Sequence, residues 1–184
     1  MNVVETGIKG LIILEPRVFE DSRGYFFESF NLKEWKNSGI NQEFVQDNQS
    51  KSSYGVIRGL HYQLAPYSQT KVVRVLTGEV LDVAVDLRKG SETFGKSFSI
   101  IISAENKRQM LIPKGFAHGF AVLSKEAVFY YKCDELYNPE SERGIIYKDT
   151  QLSVDWKIPE DHRIISGKDK DLPSFAQAEM NFNY

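Results

Sequence analysis

The chain has 184 residues, a formal net charge of −2 and 41% apolar residues, which suits one domain with a substantial core and excludes the global basic field that draws nucleic acid. Its lone cysteine, Cys133, excludes an intramolecular disulfide framework and points to a reducing, cytoplasmic home. The opening MNVVETGIKG has no basic start followed by a long apolar run, and no apolar stretch approaches the roughly 20 residues of a membrane span, so the expectation is a soluble protein with no nucleic-acid or membrane partner.

Taken in chain order, most segments read as strands. GLIILEP (10–16) and GYFFESF (24–30) are short, rich in β-branched and aromatic residues, and bounded by Gly or Pro. Between this region and the next strands, NLKEWKNSG (31–39) predicts the first helix, with Asn31 as its cap, Glu34 three residues on, and Gly39 to end it. GLHYQLAP (59–66) and KVVRVLTG (71–78) resume the strand pattern. GEVLDVAVDLRKG (78–90) has the clearest alternation, with Leu81, Val83, Val85 and Leu87 on one face and Asp82, Asp86 and Arg88 on the other. SFSIIIS, MLIP, GFAVL and AVFYYKCD continue it. Many short strands separated by turn signals predict a mainly β sandwich or barrel, jelly rolls included. After Asp149 the pattern breaks down, and the remainder reads as an irregular tail laid over the body with a short helix near its end. No internal repeat or linker divides the chain, so residues 1–184 are read as one domain.

Three histidines are present, His61, His118 and His162. In GLHYQ, His61 and Gln63 face one way while Leu60, Tyr62 and Leu64 face the other. With the apolar set in the core, His61 looks into a concavity or out to solvent. Arg58 has the wrong parity to join it, unless Gly59 supplies a bulge that turns it toward the same pocket. The plainer alternative for His61 is a hydrogen-bonded structural role. In PKGFAHGF the spacing P-x-G-x-x-H sets His118 just after a tight turn and resembles the second box of the cupin superfamily of small jelly-roll barrels. Many cupins bind a metal there through an H-x-H pair and a glutamate, but the first box here reads His61-Tyr62-Gln63. Two histidines and an amide make a poor transition-metal site, so no metal is expected, and a turn-stabilising hydrogen bond remains open for His118. Positive charge must then come from Lys71, Arg58, Arg23 in DSRGYF or Lys168 in SGKDKDLP, each of which also reads as an ordinary surface charge. Tyr131 shares a strand face with Ala127, Phe129 and Cys133, where a phenol is either a satisfied core group or a proton donor.

Together GLIILEPRVFEDSRGYFFESF, FVQDNQSKSSYGVIRGLHYQ, TKVVRVLTGEVLDVAVDLRKGS, LIPKGFAHGF, YNPESERGI and SGKDKDLP resemble, in this order, the dTDP-4-dehydrorhamnose 3,5-epimerases, which are metal-free cupins. The resemblance implies a cupin-type jelly-roll barrel and a dTDP-linked 4-keto-6-deoxyglucose as substrate. It implies proton removal from carbons 5 and 3, with return on the opposite faces and no cofactor. It further implies His61 as general base, Asp169 as its orienting partner, Lys71 beside the ketone oxygen and Tyr131 as proton donor. Arg23, Glu28, Gln46, Asn48, Arg58, His118, Glu142 and Lys168 hold the substrate, and Phe19 or Phe26 covers the base. A homodimer with exchanged N-terminal strands is implied as well. A single epimerase acting at carbon 3 or carbon 5, or a cupin that only binds a sugar nucleotide, are the alternatives.

Overall fold

The computed structural model describes residues 1–184. Fourteen strands and two short α-helices follow one another along the chain. Strands β1 (Asn2–Glu5), β2 (Ile12–Glu15), β3 (Phe19–Asp21) and β4 (Gly24–Phe26) precede helix α1 (Leu32–Asn37). Strands β5 (Gln46–Ser53), β6 (Val56–Gln63), β7 (Lys71–Thr77), β8 (Glu79–Asp86), β9 (Ser97–Ser103), β10 (Gln109–Ile112), β11 (Phe116–Val122) and β12 (Glu126–Cys133) build the body. Strands β13 (Glu142–Gly144) and β14 (Ile164–Ile165) and helix α2 (Gly167–Lys170) lie in the last third.

Two six-membered groups of strands face each other. One sheet runs β1-β2-β10-β7-β12-β5; the other runs β13-β6-β11-β8-β9, with β14 added in parallel to β6. Their inner faces share Val73, Val75, Val80, Ala84, Phe120, Val122 and Phe129 as the barrel core. This is the mainly β, cupin-like barrel expected from the sequence. The outer face of the first sheet is closed by α1, whose Trp35 packs with Leu14, Val72 and Leu111. As the sequence predicts, Asn31 caps this helix by accepting from the backbone N–H of Lys33 and Glu34, and Gly39 follows at φ +83°, a conformation that glycine adopts without strain.

The second sheet departs from a simple inside-apolar, outside-polar reading, because both of its faces are buried. Leu60, Tyr62, Leu81, Val83, Val85 and Leu87 point away from the barrel and pack beneath Leu152, Trp156, Ile158, Phe175 and Phe182 of the tail. Trp156 is anchored at its polar end by donating to the carbonyl of Tyr147 at 2.6 Å. The tail's helix α2 falls at Gly167–Lys170, in mid-tail, and the residues after it are turns and a single bridge between Lys89 and Asn183. The predicted strand 24–30 stops at Phe26, and β3–β4 forms a separate two-stranded ribbon.

Candidate active site

The barrel interior opens into a cavity of about 610 Å³. Parity along four strands decides which side chains enter it. On β7, Lys71 shares the inward face of Val73 and Val75. On β12, Tyr131 shares the inward face of Ala127 and Phe129, and pairs in register with Asn48 of β5. On β11, His118 lies between the inward residues Phe116 and Phe120. On β6, a bulge changes the parity: His61 pairs with His118 but Arg58 pairs with Phe120, so three residues of β6 advance against two of β11. Gly59 sits in that bulge at φ +115°, and a Cβ there would lie 2.6 Å from the Cα of Gly119, so no other residue fits between the strands. The bulge leaves both Arg58 and His61 lining the cavity.

His61 is the most completely engaged of these groups. Its Nε2 lies 2.7 Å from Oδ1 of Asp169, which comes from the tail more than a hundred residues away. Ser166 caps α2 by accepting from the Asp169 N–H, and Oδ2 of Asp169 accepts from the Gly59 N–H at 3.3 Å. Burial disfavours the ionised carboxyl, but the hydrogen bond and charge of His61, with the Gly59 N–H, outweigh it and hold Asp169 below its ordinary value. A carboxylate at Nε2 requires a proton there, which leaves Nδ1 as the basic nitrogen of the neutral ring. The His61 side chain is 30% exposed and its partner 5%, so the pair has one end in the cavity and the other in the protein.

Two further groups have shifted titrations. Burial, with smaller contributions from Cys133 and Glu142, pushes the Tyr131 phenol up to about 12 against the pull of Arg58. Tyr131 therefore keeps its proton near neutral pH and is suited to giving one away under demand. Burial pushes the Lys71 amine down, opposed by Cys133, Glu142 and Asp82. Its Nζ lies 5.8 Å from the centre of the Tyr131 ring.

A hydrogen-bonded rim closes one side of the cavity. Lys168 donates to Glu142 at 2.6 Å, and the Tyr137 hydroxyl donates to the same carboxylate oxygen at 2.7 Å. The Tyr137 N–H donates to Gln46, whose amide donates to Asn48. The pairing with Lys168 and Tyr137 outweighs burial and holds Glu142 below its usual value. Arg58 leans on Ser52 through a 3.1 Å bond from Nε. Gln63, the residue in place of a second histidine, is turned out of the cavity: it donates to the carbonyls of Tyr67 and Leu136 and accepts from the Asn138 N–H.

Asn48, Arg58, His61 and Lys71, with His118, Tyr131, Lys168 and Asp169, line one cavity, and Gln46 and Glu142 belong to its rim. Arg23 and Glu28 do not reach it within one chain. The Arg23 side chain is 87% exposed and pairs with Asp21; Glu28 bonds to Asn31 near the start of α1. Phe19 and Phe26 are likewise exposed on the β3–β4 ribbon. Two participants lie outside the residues singled out from sequence. Tyr137 was legible only as part of the block YNPESERGI. Asp82 was legible as a carboxylate on an alternating strand, but its place inside the barrel was not.

Comparison with known proteins converges on one description. A family profile for dTDP-4-dehydrorhamnose 3,5-epimerase matches residues 5–177. A dTDP-4-dehydrorhamnose 3,5-epimerase of Shigella flexneri is 53% identical over 180 residues, covering 97% of this chain and 98% of that one. The crystal structure of the dTDP-4-dehydrorhamnose 3,5-epimerase from Elizabethkingia anophelis NUHP1 superposes with a TM-score of 0.91 at 56% identity, over 96% of this chain and 97% of the other. That of dTDP-6-deoxy-D-glucose-3,5-epimerase from Legionella pneumophila Philadelphia 1, in complex with dTDP-4-keto-L-rhamnose, superposes with a TM-score of 0.95 at 49% identity, over 100% and 98%.

Proposed function

Since the chain belongs to the dTDP-4-dehydrorhamnose 3,5-epimerase family, we propose that its cavity performs the double inversion with His61 as base, Asp169 as the carboxylate behind it, Lys71 as the cation at the ketone and Tyr131 as acid. The protein is an isomerase that converts dTDP-4-dehydro-6-deoxy-D-glucose to dTDP-4-dehydro-L-rhamnose. The observation that carries the residue assignment is the 2.7 Å His61–Asp169 pair in a cavity also lined by Tyr131 and Lys71.

The chemistry asks for two groups on opposite sides of a planar carbon. The C4 ketone acidifies the hydrogens on carbons 3 and 5. His61 takes the proton through Nδ1, and Asp169 stabilises the imidazolium that forms. Negative charge grows on the ketone oxygen as the enolate develops, and a preorganised ammonium stabilises it most where water is scarce. Tyr131, a phenol that holds its proton to about 12, returns a proton to the opposite face. A single group acting from one face would restore the starting configuration. No cofactor or metal enters this scheme.

The nucleotide is held by Gln46, Asn48, Arg58, His118, Glu142 and Lys168. Arginine suits diphosphate oxygens with paired donors, and lysine meets them as a point charge. Arg23 and Glu28 are assigned to the same task across a homodimer in which N-terminal strands are exchanged. The exposure of Phe19, Tyr25 and Phe26 on the ribbon supports this reading, since an apolar two-stranded ribbon gains stability from a partner. The chain acts as one domain, supported by the tail's burial against β6 and β8. A cytoplasmic location is supported by the lone, buried cysteine; no helix is long and apolar enough to cross a membrane.

The test is incubation with dTDP-4-keto-6-deoxyglucose in heavy water without added metal, with deuterium followed by NMR and the product trapped by a reductase. Label at carbons 3 and 5 with inverted product is expected. Label at one carbon would reduce the activity to a single epimerisation, and no label would return the cavity to a binding role.

A further inference from the structure

Strand β8 places a carboxylate on the inner face of the barrel. Asp82 shares its face with Val80 and Ala84 of the inner core and is wholly buried. A charge in such a place is costly unless it is answered. One side chain answers it by hydrogen bonding: Nε2 of His118 lies 3.0 Å from one carboxylate oxygen and 3.1 Å from the other. Burial pushes the Asp82 carboxyl up, and both His118 and Lys71 act against that push. The His118 ring is also stacked 5.9 Å from the ring of Phe129, which stacks on Phe120 at 4.1 Å. The ring is thus held at one nitrogen and on one face. Its other nitrogen, Nδ1, is not a buried orphan, and the residue lines the cavity.

His118 is also the register partner of His61, and both line the cavity together with Lys71 and Tyr131.

Resting on the catalytic assignment above, we propose that Asp82 is a positioning residue of the epimerase site: it fixes His118 through a protonated Nε2 with Nδ1 presented to the sugar nucleotide. A pair that merely filled the core would need no nitrogen open to the cavity.

Two measurements on the full chain decide it. Imidazole nitrogen NMR of the ligand-free protein is expected to show Nε2 of His118 protonated at every pH at which the chain is folded. A spectrum in which Nε2 loses its proton while Nδ1 keeps one would overturn the proposal. Asp82→Asn keeps an oxygen for Nε2 but removes the charge. For dTDP-4-keto-6-deoxyglucose its KM is expected to rise about 10- to 100-fold, the scale of one hydrogen bond to a charged group, with kcat little changed. A folded Asp82→Asn protein with wild-type KM would also overturn it. If the variant does not fold, the imidazole spectrum decides alone. Wild-type turnover is measured alongside: its absence would refute the epimerase reading, while the spectrum would still decide how Asp82 holds His118.

Discussion

The two faces of the β6-β11-β8 part of the barrel are both buried, but their chemistry is opposite. The outer face is a continuous apolar surface of Leu60, Tyr62, Leu81, Val83 and Val85 sealed under the tail. The inner face mixes Val80 and Ala84 with Asp82, His61 and His118. The difference shows how a small barrel affords polar groups in its interior. Because the outer face carries a full apolar core with Trp156 and Phe175, the inner face is free to carry charges that would be costly in the only core of a small protein. The same tail that seals the outer face crosses to the cavity and delivers Asp169 to His61, so one irregular segment both closes the core and supplies the partner of the proposed base.

The largest expected effects come from the inner face. His61→Asn should lower kcat by roughly 100- to 10,000-fold, the usual worth of a general base. Steady-state turnover coupled to a reductase measures it, and near-normal activity would remove His61 from the mechanism. Tyr131→Phe separates the two halves of an inversion. It should suppress formation of the carbon 5 inverted product while leaving exchange of solvent deuterium by His61 largely in place. Equal survival of exchange and inversion would mean that the acid lies elsewhere.

How far these groups could be foreseen follows from the same contrast. Runs such as KVVRVLTG and GEVLDVAVDLRKG announced their strands because alternation and β-branching coincide. QDNQSKSS did not, since β5 is an eight-residue strand with no apolar residue at all. It holds its place by pairing along the whole of β12, and its inward positions are polar because Asn48 and Ser50 line the cavity. The alternation of β8 was plain, yet a period of two cannot tell which face is inside when both are buried. Arg58 and His61 were readable as neighbours of one pocket only by granting Gly59 a bulge, which β6 contains. Asp169 became visible only through the family resemblance, because no local pattern tells a tail carboxylate which strand it will meet.

The outer face makes the opposite prediction, a large loss of stability with an indirect loss of activity. Trp156 is 1% exposed and bonds to the Tyr147 carbonyl. Trp156→Ala should cost about 3–5 kcal/mol and lower the melting temperature by roughly 10 °C. Below that temperature kcat should fall as well, since the loosened tail carries Asp169, whereas nucleotide binding to the strands should change less. A destabilised variant with unchanged kcat would show that the tail's packing and its delivery of Asp169 are independent.

The smallest effect is a change of pH alone, and it sets activity against stability at one residue. Burial places the Lys71 amine below its ordinary 10.5. An amine whose folded value is depressed contributes its stabilisation above the unfolded value and loses it as pH falls through the folded value. At neutral pH, then, the charged Lys71 is a cost to the fold, relieved as pH rises toward 10.5. In the proposed mechanism activity runs the other way, because there the ketone needs the ammonium. The kcat profile should fall on its alkaline side at a pH below that of an ordinary lysine. Over the same interval the stability gap between wild type and Lys71→Met should shift in favour of the wild type, since the methionine variant has nothing to neutralise at that position. Measuring both along one pH series ties the alkaline limb to this amine: a limb that falls while the stability gap stays flat would belong to another group.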